Sequence, residues 1–192
     1  MKSEKIVSKV WKIYGGKGLC SNAYLVDVVE PTLIDLGSFE NVKDLLKVLE
    51  GLGYKAKDIV NVVFTHLHPD HVGQPSKFEN AKFFASKEEI DVFNKNPEGA
   101  TIFDGAIKEL KKIKIKPLSE EIAGMKVLKT PGHTIGSVCL WLPEQKVLFS
   151  GDTFFGNGVY GRVDLVTSVP EKMQSSLELL ESLKYKVLCP GH

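Results

Sequence analysis

A short stretch of the sequence, residues 65–73, concentrates side chains that commonly bind metal ions. It reads Thr-His-Leu-His-Pro-Asp-His-Val-Gly and places three imidazoles and one carboxylate within six consecutive positions, at His66, His68, Asp70 and His71. Neutral imidazole and carboxylate groups are ligands for zinc, iron and manganese. One or two such residues would be consistent with a solvated polar turn, whereas four of them so closely spaced favour a metal site.

The spacing within this stretch indicates two pairs of ligands. The preceding residues, Ile59–Phe64, are mostly apolar and β-branched, which predicts a buried strand and places the motif on the loop at its end. Side chains two positions apart in an extended chain point to the same side, which applies to His66 and His68. Pro69 then fixes its own φ and favours a turn, after which the other two ligands can reach a neighbouring point. We therefore expect one pair of ligands for each of two adjacent metal ions.

Strand patterns and helical patterns occur along the whole chain, which predicts one layered α+β domain over residues 1–192. The predicted strands are Ile6–Ile13, Ala23–Val29, Thr32–Leu36, Ile59–Phe64, Lys82–Ala85, Lys126–Lys129, Ser137–Leu142, Lys146–Phe149 and Tyr185–Leu188. Helices are predicted from Ser38 to Gly51, from a Ser86/Glu89 capping box to about Asn94, and from a second capping box, Ser168 and Glu171 with Pro170, onwards. For the irregular stretch Asn94–Gly105 a surface loop is the default expectation, and a lid over the site is the alternative.

The composition limits the classes of partner. With 192 residues, 43% of them hydrophobic, and a formal net charge of +1, the chain can bury a core and has no field of one sign to attract nucleic acid or a membrane surface. Its apolar runs are too short to span a bilayer, and Met1–Tyr14 lacks the pattern of a signal peptide, so we expect a cytoplasmic protein. Cys20, Cys139 and Cys189 form no CxxC pair, which argues against a disulfide framework and a thiolate zinc site.

Further candidate ligands lie at the ends of other predicted strands. His133, Asp152 and His192 each follow a strand closely and stand beside glycine. One such histidine alone would be interpreted as structural, but none of the five histidines falls in a predicted helix, which favours one shared site at a sheet edge. Asp35 interrupts an apolar strand end, where it could orient a metal-bound histidine without binding the metal or begin a turn with Gly37.

The loop Phe154–Asp164 is rich in glycine and aromatic residues and contains the candidate substrate-binding residues Asn157, Tyr160 and Arg162. A glycine-rich loop can approach a ligand closely with its backbone. Arg162 could hold a substrate carboxylate through two parallel hydrogen bonds, or it could pair with Asp164, and the structural pairing is slightly favoured.

Five motifs in order along nearly the whole chain resemble the metallo-β-lactamase superfamily. They are Leu33–Gly37, His66-x-His68-x-Asp70-His71, Pro131–Thr134, Ser150–Thr153 and Pro190–His192. The resemblance implies a four-layer αβ/βα sandwich of two mixed β-sheets flanked by helices, with metals at one rim. It also implies a first metal site, a second metal site and a bridging carboxylate, formed respectively by His66, His68 and His133, by Asp70, His71 and His192, and by Asp152. Asp70 and Asp152 would be the catalytic carboxylates.

Within the superfamily, Gly151–Phe155 and Gly161–Asp164 most resemble glyoxalase II-like hydrolases. This resemblance implies hydrolysis of a small-molecule thioester or ester by a hydroxide that bridges two Zn²⁺ ions, with Fe²⁺ or Mn²⁺ as alternatives and a lactonase-type or other ester substrate as a variant. The sequence has no counterpart of the helical domain with which glyoxalase II helps bind glutathione, so a smaller thioester is an equal expectation. The same scaffold could instead serve a mononuclear iron persulfide dioxygenase, using His66, His133 and Asp152, or a metal-stabilised binding module. The sequence leaves the oligomeric state open.

Overall fold

The computed structural model describes residues 1–192 and contains two mixed β-sheets. The larger sheet has seven strands in chain order: β1 (Lys2–Val7), β2 (Val10–Tyr14), β3 (Ala23–Val26), β4 (Thr32–Ile34), β5 (Asn61–Val63), β6 (Lys82–Ala85) and β7 (Ile115–Pro117). The smaller sheet contains β8 (Glu121–Ile122), β9 (Met125–Lys129), β10 (Val138–Leu142), β11 (Val147–Gly151) and β12 (Val187–Pro190), and its spatial order is β12-β11-β10-β9-β8. Strands β4 to β7 are parallel to one another, as are β11 and β12, and the other neighbours are antiparallel.

Six α-helices accompany the sheets: α1 (Val42–Gly51), α2 (Pro69–Val72), α3 (Lys87–Lys95), α4 (Pro97–Thr101), α5 (Asp104–Leu110) and α6 (Pro170–Glu181). Short 3₁₀ turns occupy Phe39–Asn41, Ala56–Asp58 and Pro75–Lys77. None of the helices has both the length and the apolar character needed to cross a lipid bilayer.

Three apolar clusters separate four layers of structure. Because side chains alternate along a strand, neighbouring residues of the buried central strands enter different clusters. In β11, Phe149 packs between the two sheets, whereas Leu148 packs toward Leu180 of α6. In β3, Leu25 packs in the cluster that contains Leu45 of α1. The predicted arrangement of two mixed sheets flanked by helices is therefore confirmed.

The parallel strand pairs direct their carboxyl ends to one rim of the sandwich. In the larger sheet, β4 ends just before Asp35 and β5 ends just before the histidine-rich stretch. In the smaller sheet, β11 ends just before Asp152 and β12 ends just before His192. The sheets are joined at this rim, where the Val138 N–H donates to the Thr65 carbonyl at 3.0 Å. The topology thus brings four chain segments to the same place.

The prediction of one strand over Ile6–Ile13 is wrong. The segment is a hairpin in which Val7 of β1 pairs with Val10 of β2 across the turn Ser8-Lys9. Lys9 adopts a φ of 60° in the left-handed region, which lysine occupies at a steric cost. The period-two pattern continues through both arms, and the turn lacks the glycine or asparagine that normally marks such a reversal.

The default prediction of a surface loop over Asn94–Gly105 is also wrong. Helix α4 and the start of α5 occupy this stretch, and the Asn96 side chain caps α4 by accepting a hydrogen bond from the Gly99 N–H at 3.0 Å. Pro97 at the first helical position fits because that position needs no N–H donor. Helix α1 begins at Val42, after a 3₁₀ turn, rather than at Ser38, and β8 was not predicted.

Candidate metal centre

All seven predicted metal ligands converge at the rim. They come from the loop after β5, from α2, from the loop between β9 and β10, and from the ends of β11 and β12. Three overlapping groups have ligand atoms within 4.8 Å of one another: His66, His68 and His133; His66, His71 and Asp152; and Asp70, His71 and His192. The two ligand groups that the family resemblance implies, His66 with His68 and His133 and Asp70 with His71 and His192, are called here the first and the second group. The remaining group contains Asp152 and shares one histidine with each of them.

The first group consists of the three histidines His66, His68 and His133. Nε2 of His133 lies 2.9 Å from Nδ1 of His68, so these two nitrogens point to a common position. Nδ1 of His133 lies 2.8 Å from the Arg162 carbonyl oxygen, to which it donates in the tautomer that leaves Nε2 free for a metal. His66 is buried, and its Nε2 has no hydrogen-bond partner.

The second group consists of Asp70, His71 and His192. Oδ2 of Asp70 lies 3.1 Å from Nε2 of His192 and 3.8 Å from Nε2 of His71. Behind the group, Oδ2 of Asp35 lies 2.8 Å from Nδ1 of His71, and Oδ1 of Asp35 accepts from the Thr65 N–H at 2.8 Å. Asp35 therefore orients the ring of His71, as one of the two expectations had it. Its φ of 55° is left-handed, but residues 35–38 form no turn.

The carboxylate of Asp152 lies between the two groups. Its Oδ1 is 3.2 Å from Nε2 of His71, and its Oδ2 is 3.6 Å from Nε2 of both His133 and His192. Two glycines allow this approach, because a Cβ at Gly191 would collide with Oδ1 of Asp152 and a Cβ at Gly161 would collide with its carbonyl. The geometry gives Asp152 access to both ligand groups.

Burial and neighbouring charges keep the imidazoles of the first group uncharged. Burial lowers the pKa of His66 well below its ordinary value, and the adjacent histidines lower it further. Burial likewise lowers the pKa of His68 to about 3. Burial works against a charge on His71, but the carboxylates of Asp152 and Asp35 prevail and raise its pKa well above the ordinary value. Burial also lowers the pKa of His133. The three imidazoles are thus uncharged at neutral pH, and each has one nitrogen without a proton, as a metal ligand must have.

The donor atoms of this centre fit a divalent metal. Three buried atoms have no hydrogen-bond partner: Nε2 of His66, Nε2 of His71 and Oδ1 of Asp152. Such unpaired buried polar atoms are costly in a folded protein, and a bound cation would satisfy all three. Imidazole nitrogen with carboxylate oxygen is a donor set that suits zinc, iron or manganese.

Glu89 is a site residue for which the sequence predicted a different role. Its N–H donates to Oγ of Ser86 at 3.1 Å, as the predicted capping box requires. Its carboxylate, however, turns inward and accepts from the Leu67 N–H at 2.9 Å, the Thr134 hydroxyl at 2.6 Å and the Gly136 N–H at 3.1 Å. Burial raises the pKa of this carboxyl, and the hydrogen bonds work in the opposite direction. Glu89 therefore ties the loop of His66 and His68 to the loop of His133.

A cleft of about 350 Å³ opens beside the ligands. Its wall contains Leu19, His68, Pro69, Asp70, Ile102, His133, Asp152, Phe155, Gly161, Arg162, Leu165 and His192. Arg162 pairs with Asp164 through two hydrogen bonds, Nε to Oδ1 at 2.7 Å and Nη2 to Oδ2 at 2.8 Å. Asn157 and Tyr160 are exposed and do not line the cleft, so their part in substrate binding stays a prediction.

Comparison with known proteins identifies relatives along most of the chain. A probable metallo-hydrolase of Methanocaldococcus jannaschii is 31% identical over 189 residues, which cover 92% of this chain and 89% of the relative. A hydroxyacylglutathione hydrolase of a Synechococcus strain is 33% identical over 81% of this chain, and an atrochrysone carboxyl ACP thioesterase of Aspergillus fumigatus is 29% identical over 90% of it. The chain spans about half the length of these last two relatives, 53% and 50% respectively.

A solved structure and a family model extend these similarities. The structure, of a protein in a di-iron-bound form, is 31% identical and superposes with a TM-score of 0.75 over 94% of this chain and 91% of that one. The family model described as the metallo-beta-lactamase superfamily matches residues 17–192, a range that includes all seven of the converging side chains. The chain therefore belongs to the metallo-β-lactamase superfamily.

Proposed function

We propose that this metallo-hydrolase binds two zinc ions and cleaves a small-molecule thioester or ester. The observation that carries the proposal is the carboxylate of Asp152, whose two oxygens face ligand groups on either side. A shared carboxylate offsets the repulsion between two cations held only a few ångströms apart, roughly 3.5–4 Å in dinuclear sites. A mononuclear centre would need neither a second complete ligand group nor a carboxylate between the two.

Each residue of the centre has a proposed role in metal binding or proton transfer. Asp152 would contact both metals, His66, His68 and His133 would hold the first, and Asp70, His71 and His192 would hold the second. When bound, such metals supply hydroxide at neutral pH by lowering the pKa of water and polarise the substrate carbonyl. Asp70 also lines the cleft, where the carboxylate oxygen that does not hold the metal would take up the proton that metal-bound water loses and would deliver it to the leaving group.

The relatives support hydrolysis of a thioester but leave the metal open. A thioesterase and a hydroxyacylglutathione hydrolase are among them, and the metal in the similar solved structure is iron. Iron and manganese are therefore the alternatives to zinc in this proposal, and lactones and other esters are alternative substrates. A cytoplasmic location is also part of the proposal, because all three cysteines are free thiols, as a reducing compartment keeps them.

Metal analysis together with a substrate panel tests the proposal. We expect two equivalents of metal per purified chain by elemental analysis, and the zinc-loaded protein should hydrolyse members of a panel of thioesters, esters and lactones. Asp152→Asn should lower both the metal content and the turnover, whereas Asp91→Asn, on the exposed surface of α3, should change neither. One equivalent of metal at full occupancy would contradict the dinuclear centre.

The same preparations distinguish the hydrolase from the two functions that compete with it. Oxygen uptake by the iron-loaded protein with glutathione persulfide would replace the hydrolase with a dioxygenase that uses only His66, His133 and Asp152. Tight ligand binding by the metal-replete protein without turnover on any substrate would indicate a binding module. The complete second ligand group favours the hydrolase over both.

A further inference from the structure

Apart from the predicted ligands, Gly161 and Arg162, the wall of the cleft is apolar. Leu19, Ile102, Phe155 and Leu165 project from separate segments and line the cleft together with Pro69. A second cavity of about 260 Å³ adjoins it, with Leu19, Pro69, Asp70 and Ile102 common to both. This second cavity adds the rings of Phe39 and Phe103, whose centroids are 6.3 Å apart in an edge-to-face arrangement. The apolar surface thus continues away from the metal centre.

The second cavity offers no cation to a substrate carboxylate. It contains no lysine or arginine and includes the acid Glu40. In the first cavity, Arg162 is the one lysine or arginine, and its Nε and Nη2 groups donate to Asp164. A carboxylate bound along the second cavity would therefore lose water without gaining a counter-charge, which is unfavourable.

Ile102 carries an unusual backbone conformation at the point where the two cavities meet. It lies between α4 and α5 with φ 48° and ψ 16°, a left-handed conformation that is strained for a β-branched residue and easier for glycine or asparagine. Its side chain is 64% exposed, so burial in a core does not compensate the strain. Strain of this kind occurs in ordinary turns and at helix ends, and it is also found at ligand-binding positions.

We propose that the substrate of this enzyme carries an apolar, uncharged acyl group that packs against Ile102, Leu19, Phe155 and Leu165. The proposal rests on the hydrolase function and names its substrate class: thioesters or esters of aliphatic or aromatic acids without a second carboxylate. The contiguity of the apolar wall with Asp70 and Asp152 places such an acyl group directly beside the metal ligands.

Substrates that differ only in the acyl group test the proposed preference for apolar, uncharged acyl groups. With one common thiol leaving group, hexanoyl should exceed butyryl in kcat/KM by about tenfold, the gain expected from burying two more methylene groups. Succinyl, which has the same four carbons but ends in a carboxylate where butyryl ends in a methyl group, should fall below butyryl. A preference for succinyl over butyryl would overturn the apolar site while leaving the hydrolase function intact.

Substitution of Ile102 tests whether its side chain contacts the substrate or only stabilises the fold. Ile102→Asn should raise Tm because asparagine tolerates the left-handed conformation, yet it should raise KM about tenfold for the hexanoyl substrate and by less for the shorter acetyl substrate. The matched control is Ala123→Gly, which relieves a φ of 49° in the β8–β9 turn and should raise Tm without affecting KM. An unchanged KM for the hexanoyl substrate in Ile102→Asn would overturn the proposal.

A binding measurement separates failure of this inference from failure of the hydrolase function. Hexanamide, titrated calorimetrically into the metal-loaded protein, should bind more tightly than the charged analogue succinamate, and Ile102→Asn should weaken its binding. If no substrate is turned over but this pattern holds, the hydrolase function fails and the apolar site stands. Absence of hexanamide binding would overturn the site whatever the turnover.

Discussion

At the scale of single residues, the candidate metal-binding nitrogens depend on carboxylates that lie outside the proposed ligand groups. Asp35 is buried and accepts hydrogen bonds from the backbone N–H of Thr65, the hydroxyl of Thr65 and Nδ1 of His71. Each interaction requires an oxygen acceptor. The amide of an asparagine would present an NH₂ group to one of them, either facing another donor or forcing His71 into the tautomer with a proton on Nε2.

We therefore expect Asp35→Asn to weaken metal binding by about 10- to 100-fold, the usual effect of removing such an orienting partner. Competition with a coloured chelator measures the affinity of the purified protein. Asp27→Asn provides a control, because Asp27 accepts from the Tyr54 hydroxyl at 2.7 Å and has no contact with the ligand groups. Equal affinities for Asp35→Asn and the unsubstituted protein would show that the Asp35–His71 contact does not position a ligand.

Glu89 provides a second residue-scale prediction, since its carboxylate serves three donors from two ligand loops. Glu89→Gln keeps the shape but turns one acceptor into a donor, which leaves at least one buried N–H or hydroxyl unpaired at a cost of about 1–3 kcal/mol. We expect this loss in the free energy of urea unfolding. We also expect an altered visible spectrum of the cobalt-substituted protein, because the positions of His66, His68 and His133 would change.

The adjacent residue offers a matched control for this substitution. Glu88 is on the surface of the same helical turn and pairs with Lys129, so Glu88→Gln removes a charge without touching either ligand loop. It should change neither the spectrum nor the unfolding free energy appreciably. A Glu89→Gln protein that is less stable but has an unchanged cobalt spectrum would limit Glu89 to a structural role.

At the scale of elements, the sequence was most informative where a pattern had one structural solution. The strand over Lys82–Ala85 was predicted at the position where it occurs. The last helix begins at Pro170, but its N-cap is Val169, and the predicted capping box of Ser168 and Glu171 does not form. Ile59–Phe64 was predicted as a strand. The strand that forms, β5 (Asn61–Val63), is shorter, but its carboxyl end still places the histidine-rich loop at the rim. The positions of His133 and His192 after predicted strands favoured one shared site, but their assignment to a ligand group came from the family resemblance, because no local pattern encodes distances between remote segments.

Helix starts were mispredicted where they depend on one side-chain hydrogen bond whose partner the sequence does not identify. Asn94–Gly105 lacks an apolar stripe, yet Asn96 capping and Pro97 start a helix there. Ser86 and Glu89 form only half of the predicted capping box, because the Glu89 carboxylate is drawn to donors of the ligand loops. A glutamate three residues after a serine has the same sequence signature in both situations, so only the tertiary structure distinguishes them.

The β1–β2 hairpin supplies the element-scale prediction. Lys9→Gly should stabilise the protein by about 0.5–1 kcal/mol, because glycine adopts the left-handed conformation of the turn without a Cβ clash. Lys5→Gly is the matched control: it removes the same kind of exposed side chain from the middle of β1, where glycine weakens a strand. Urea unfolding should therefore show opposite shifts for the two variants. Destabilisation by both would mean that the conformation of Lys9 does not limit the hairpin.

At the scale of the whole molecule, the metal centre is where the two sheets are held together at one rim. The larger sheet contributes His66, His68 and the support of Asp35, whereas the smaller sheet contributes Asp152 and His192. Direct hydrogen bonds cross the same boundary: the Tyr24 hydroxyl of β3 donates to the Pro190 carbonyl at 2.7 Å, and the Asn22 N–H donates to the Gly191 carbonyl at 2.6 Å. Ligands bound at this boundary stabilise the assembled sandwich rather than one loop.

Metal removal should therefore lower global stability. A ligand that binds only the folded state adds about 4 kcal/mol per site when present at 1,000 times its dissociation constant, and the unfolded chain cannot assemble donors from four segments. We expect chelation to shift the urea midpoint of the whole transition, monitored at Trp11 and Trp141, which lie in β2 of the larger sheet and β10 of the smaller one. Restoring zinc should restore the midpoint.

A broken ligand group serves as the control for this shift. His192→Ala removes one ligand from the second group and leaves the first complete, so the chelator should shift its midpoint by less than in the unsubstituted protein. His192 also lies outside the three apolar clusters, so the variant should match the metal-free protein closely once both lack metal. An equal chelator shift in both proteins would mean that the second group binds no metal, and a transition seen at only one tryptophan would mean that the centre stabilises one sheet rather than their junction.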